Sequence, residues 1–214
     1  LNTERLERQI AFILEIDRLK SILRRSYLLS DPRHENSAEH SWHLAVMAMV
    51  LAEHANSEVN PLRVLQMLLV HDIVEIDSGD TYIYDAAGND TKAERENAAA
   101  RRIFGLLPPD QETEIAQLWQ EFEARETPEA KFAAALDRLM PLLHNYHTEG
   151  RSWREHGITE GQVMSLNSHM NEGSQTLWEY AEALIKDATT KGDLREENEK
   201  GNGNAARNAE HRVV

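Results

Sequence analysis

The sequence predicts an all-α architecture, a single bundle of about six or seven helices. Three observations lead there. Apolar residues recur at helical spacing along most of the 214 residues. Strictly alternating stretches, the mark of a half-buried strand, are almost absent. Proline and capping residues punctuate the chain at Asp31-Pro32, Asn60-Pro61, Pro108-Pro109 and Thr127-Pro128, where helices begin or end.

The first helix is expected from about Thr3 to Arg25, with Leu6, Ile10, Ile13, Leu14, Ile16 and Leu19 at helical spacing. A second runs from about Ser37 to Ala55. Its centre, Leu44 to Ala52, is apolar on every side and is expected to be buried all round. Asn60 caps a third helix that Pro61 opens, again apolar all round and reaching about Ile76. Ser78-Gly79-Asp80 ends it. Residues 81–90 read as a loop, with turn chemistry at Gly88-Asn89-Asp90. A polar amphipathic helix follows from Thr91 to about Leu106, and another from about Asp110 to Ala124. Thr127-Pro128-Glu129 starts a helix reaching about Tyr146. Gly150 to Gly157 reads as a loop, and a last helix spans about Thr159 to Lys186, interrupted near Gly173. The expected division is a folded body over residues 1–188 and a polar, flexible tail over 189–214, rich in Asn, Gly, Glu, Lys and Arg.

Composition narrows the function. Lys and Arg number 23 against 37 Asp and Glu, a formal charge of −14. So acidic a chain lacks the clustered cations that nucleic-acid backbones and anionic membrane surfaces attract. It has no cysteine, which excludes disulfides, thiolate-held zinc, iron–sulfur clusters and thiol nucleophiles. No apolar run reaches the ~18 residues of a membrane span. The charged opening Leu1-Asn2-Thr3-Glu4-Arg5 is unlike a signal peptide. The expectation is a cytoplasmic protein with no nucleic-acid or membrane partner.

The chemistry lies in ionisable residues set among apolar ones. His40, His71 and Asp72 sit on the two most apolar helices, and Asp137 lies within Ala133-Ala134-Ala135-Leu136-Asp137-Arg138-Leu139-Met140. A bare carboxylate there costs several kcal/mol unless it is paired. Two imidazoles and two carboxylates converging on one divalent cation resolve that cost. Their wide spacing requires helix packing to assemble the site, as in the metal sites of helical bundles.

These residues carry a resemblance. The string His40 … His71-Asp72 … Asp137 is similar to the metal signature of the HD-domain phosphohydrolases. Glu35-Asn36-Ser37-Ala38-Glu39-His40-Ser41-Trp42 resembles the segment around the first ligand in their 5′-deoxynucleotidase (YfbR-like) branch. The run from His71-Asp72 through Glu75 to Gly79-Asp80 resembles that branch's next block, and Lys92-Ala93-Glu94-Arg95-Glu96 its charged helix start. The match covers roughly residues 12 to 145. It implies an HD-domain helical bundle in which His40, His71, Asp72 and Asp137 hold one divalent ion (Mn, Co, Fe, Zn or Mg). It implies hydrolysis of a (deoxy)nucleoside 5′-monophosphate to nucleoside and phosphate. It also implies a homodimer.

Glu75, four residues after His71 and three after Asp72, shares their helix face and suits a catalytic residue that orients or deprotonates the attacking water. The resemblance implies that Asp80 faces the sugar 3′-hydroxyl. It places a phosphate-binding cation at Arg25, or at Arg24 if the register shifts by one, with Arg33 weaker still. Ser26 replaces the Trp common beside that Arg, and Thr81-Tyr82-Ile83-Tyr84-Asp85 departs from the Pro-containing loop of the branch, so the substrate stays open. The alternatives are another small phosphate ester or nucleotide analogue, or a non-catalytic scaffold that holds a metal. Residues 73–136 contain no His, which argues against two-metal versions of the fold. His43 reads as a packing or surface residue. His34, His54, His144, His147, His156, His169 and His211 have no partner pattern, and no metal is expected on them. Trp119, Trp153 and Trp178 read as packing or dimer contacts.

Overall fold

The computed structural model describes residues 3–85, 88 and 90–196. Its elements in chain order are α1 (Thr3–Ile16), β1 (Leu23–Tyr27), β2 (His34–Asn36), α2 (Ser37–Leu51), α3 (Pro61–Val70), α4 (Glu75–Ser78), α5 (Lys92–Phe104), α6 (Pro109–Ala124), α7 (Pro128–His147), α8 (Arg151–His156), α9 (Glu160–Asn167), α10 (Met170–Gly173) and α11 (Gln175–Lys191). The all-α reading holds, and none of the described helices is long and apolar enough to cross a membrane.

The caps at Asn60 and Thr127 lie where the sequence placed them, and α2 has one that spacing does not name. Asn36 and Glu39 form a reciprocal capping box at the start of α2. The Asn60 side chain accepts from the N–H groups of Leu62 and Arg63 ahead of α3, and Thr127 accepts from Ala130 N–H ahead of α7. Helix α7 is the axis of the bundle, burying Phe132, Ala133, Ala135, Leu136, Leu139 and Met140 against α2, α3, α10 and α11. The α10–α7 approach needs a glycine. A Cβ on Gly173 would lie 2.2 Å from the Lys131 carbonyl oxygen.

Several expectations are corrected. The first helix stops at Ile16, passes through a 3₁₀ turn (Asp17–Ser21), and gives way to β1, which pairs antiparallel with β2. The strand was not legible because the apolar spacing of α1 runs on to Leu19. The third helix ends at Val70. Bonds from Ile73 N–H to Val70 O and from Glu75 N–H to Asp72 O tighten the chain before α4. Gly150 to Gly157 is no loop, because two left-handed glycines bracket the short helix α8. The last helix is three pieces, α9 to α11. Helix α11 continues to Lys191 and Leu194 is buried, so packing extends past residue 188. The rest of the tail with His211, and Asn89 of the expected turn, lie outside the described residues.

Neither α2 nor α3 is buried all round. Leu44, Met47 and Ala48 face the core, while Trp42, Val46, Met49 and Val50 are exposed, as are Leu62 and Leu69 of α3. Trp119 and Trp153 are packing residues, 5% and 2% exposed.

Candidate metal centre

Three elements deliver the four ligand candidates. The capping box fixes the first turn of α2, which carries His40, completely buried. The tightened turn after α3 carries His71 and Asp72, and the middle of α7 carries Asp137. His40 Nε2 lies 2.9 Å from Asp137 Oδ1. His71 Nε2 lies 3.0 Å from Asp72 Oδ1 and 3.7 Å from Asp137 Oδ1. Ligand atoms of His40, His71 and Asp72 all fall within 4.8 Å of one another. Residues up to 97 positions apart thus meet at one point.

The fit to a cation rests on His71. Its Nδ1 lies 2.9 Å from the Leu68 carbonyl oxygen, which can only accept, so Nδ1 donates. That leaves Nε2 with the lone pair in the neutral ring. This atom is buried, faces two carboxylates and has no hydrogen-bond partner among the described residues. Buried polar atoms are rarely left so. With two imidazole and two carboxylate donors, the set suits a borderline or hard divalent ion. Burial alone would raise Asp72, but His71 and Arg24 hold its carboxylate below the usual range. Burial is likewise outweighed at Asp137 by the hydrogen bond with His40 and by the His71 ring beside it. Burial would lower His71, and the facing Asp72 and Asp137 instead raise it. A proton there is what a bound cation displaces.

Arg24 completes the inner ring. Its guanidinium lies 2.8 Å from Asp72, 3.9 Å from Asp80 and 4.0 Å from Asp137. Arg25, the neighbouring position on β1, is exposed. It lines an adjoining cavity of about 80 Å³ with Tyr82, Tyr84, Arg138 and Asn145. Of the arginines weighed from sequence, Arg24 is the one that reaches the ligand carboxylates Asp72 and Asp137. Arg33 pairs with Glu39 instead.

Glu75 lines a cavity of about 160 Å³ together with His71, Asp72, Asp80 and Asp137. The Ser37 hydroxyl donates to its Oε2 at 2.6 Å. Burial, and then Asp72 beside it, push the Glu75 carboxyl well above the usual carboxylate range. Burial also raises Asp80, against the pull of Arg24. Spacing did not single out Ser37 or the buried Glu35 and Glu96, since each meets its partners only through tertiary packing.

The HD domain family matches residues 16–178. The chain belongs to the HD-domain family. Among solved structures, this HD domain is similar to a "predicted metal-dependent phosphohydrolase" of Magnetospirillum magnetotacticum, with 55% identity, a TM-score of 0.86, and coverage of 89% of this chain and 96% of that one. Among curated relatives it is similar to 5′-deoxynucleotidase HDDC2 of Homo sapiens, 33% identical over 135 residues. That alignment covers 63% of this chain and 65% of the human protein, so the chain spans just under two thirds of that relative's length. The Danio rerio protein of the same name is 29% identical over 78% of this chain and 88% of its own length.

Proposed function

We propose that this HD domain is a metal-dependent phosphomonoesterase that hydrolyses nucleoside 5′-monophosphates, 2′-deoxy forms preferred. The observation that carries this reading is the convergence of His40, His71, Asp72 and Asp137 around an unpartnered His71 Nε2. The similarity to proteins named 5′-deoxynucleotidase and metal-dependent phosphohydrolase supports it.

A divalent cation on these ligands supplies Lewis acidity toward a phosphoryl oxygen and toward water. The chain's own residues do the rest. Arg24 sets a fixed positive charge beside the ligands, held by Asp72, for the phosphoryl oxygens. Arg25 and Arg138 add charge along the adjoining cavity. Glu75 faces the same space with a carboxyl that burial holds above the usual carboxylate range, and it takes a proton from water and returns it to the leaving 5′-oxygen. Ser37 holds one of its oxygens. Asp80 lines both cavities and is placed to accept from a sugar hydroxyl. Tyr82 and Tyr84 wall the side on which a nucleoside would lie.

We read the exposed apolar faces of α2 and α3 as a homodimer contact. Trp42, Met49, Val50 and Leu62 are each more than 60% exposed, more apolar surface than a monomer leaves uncovered without reason. Nucleotide substrates go with a cytoplasmic setting. The test is phosphate release from all deoxy- and ribonucleoside 5′-monophosphates with Mn, Co, Zn, Fe and Mg in turn. Turnover of the deoxy series is expected. Turnover only of other phosphate esters would move the substrate assignment, and none at all with tight metal binding would favour a scaffold.

A further inference from the structure

Behind His40, on the side away from Asp137, three ionisable side chains meet that the reaction does not use. They are Glu35 of β2, His43 of α2 and His144 of α7, and one ligand atom from each falls within 4.8 Å of the others. The arrangement follows from the helices that build the first centre. His43 is one turn past His40, and His144 is two turns past Asp137, so the faces that deliver one imidazole and one carboxylate deliver two more imidazoles.

Glu35 Oε2 and His144 Nδ1 are both buried and neither has a hydrogen-bond partner among the described residues. They lie 3.9 Å apart. His40 Nδ1 and Arg24 Nε approach the same Glu35 oxygen at 3.3 and 3.8 Å, and each is also without a hydrogen bond. Facing polar atoms left unpaired in the interior mark the place of an ion or a water. Two imidazoles and one carboxylate are a zinc-type donor set with a fourth position left open. His43 is exposed, which gives an ion a way in.

We propose that Glu35, His43 and His144 form a second cation site, selective for a transition ion such as zinc. The absence of His between residues 73 and 136 argues against two-metal versions of the fold, whereas Glu35, His43 and His144 all lie outside that span. This site shares none of the first centre's ligands, and His40 stands between the two.

The experiment is zinc content per chain after loading the full-length protein and dialysing to equilibrium, for the parent, His43→Ala and Asp137→Ala. His43 is exposed, so its replacement leaves folding intact, which circular dichroism checks. The parent is expected to hold a second equivalent of zinc beyond the first. His43→Ala loses that equivalent alone, and Asp137→Ala keeps it while weakening the other. Visible absorption of the cobalt-loaded forms should lose one component in each variant. A parent that never exceeds one equivalent, or a second equivalent that survives in His43→Ala, overturns the proposal and leaves the space to water.

Discussion

At the scale of single residues, the centre depends on where protons sit. Glu75 lies against Ser37 and beside Asp72 but is not needed to hold a cation. Glu75→Gln should therefore leave metal content unchanged and lower turnover by roughly 10²–10⁴-fold, the usual worth of a positioned acid–base group. Loss of the metal in that variant would contradict the role. The same residue sets a pH dependence. With the cation stripped by a chelator, the folded state keeps the Glu75 proton to a higher pH than the unfolded chain, whose value is near 4.5. Its contribution to stability is full below that value and is lost as pH rises through the raised folded value. Stripped Glu75→Gln should thus melt higher than the stripped parent at about pH 8, and the two should converge near pH 4. A gap that opens toward acid would refute the assignment. Residue identity was also the most legible level. His40, His71, Asp72 and Asp137 stood out because charge among apolar neighbours demands a partner. Glu35 and His144 did not, because Glu35 sits in polar sequence and His144 at the end of an apolar helix, and the two meet only when β2, α2 and α7 pack.

At the scale of elements, helices with strong caps were read correctly and short ones were not. Asn36, Asn60 and Thr127 each carry a local hydrogen-bond reason to start a helix, and each does so. The strand β1 has no such local signal. Its pairing with β2 is what turns Arg24 inward and leaves Arg25 outside, so the choice between the two arginines could not be made from spacing. The short helix α8 was hidden for a related reason, since its bracketing glycines read as loop. Packing against α7 is equally nonlocal. Gly173→Ala would drive a methyl group into the Lys131 carbonyl of that helix and should cost about 1–3 kcal/mol. A lower thermal midpoint checks this, and an unchanged midpoint would show that α10 can withdraw from α7.

At the scale of the whole molecule, the proposed anionic substrate would have to be gathered by a local field, because the chain is acidic. Arg24, Arg25 and Arg138 around the two cavities supply it within a protein of net charge −14. The apolar outer faces of α2 and α3 explain why those helices look interior in sequence. They carry a core side and a second apolar side left open in the single chain. Met49→Glu with Val50→Glu should shift the mass measured by light scattering from dimer to monomer without loss of helix content, whereas a monomeric parent would refute the dimer reading. One cation shared by ligands from α2, the turn after α3, and α7 underlies every role assigned to these residues. Anomalous diffraction from crystals soaked in manganese tests it most directly. The account predicts a peak bonded to His40 Nε2, His71 Nε2 and the carboxylates of Asp72 and Asp137; a peak that misses these side chains, or none at saturating manganese, would contradict it.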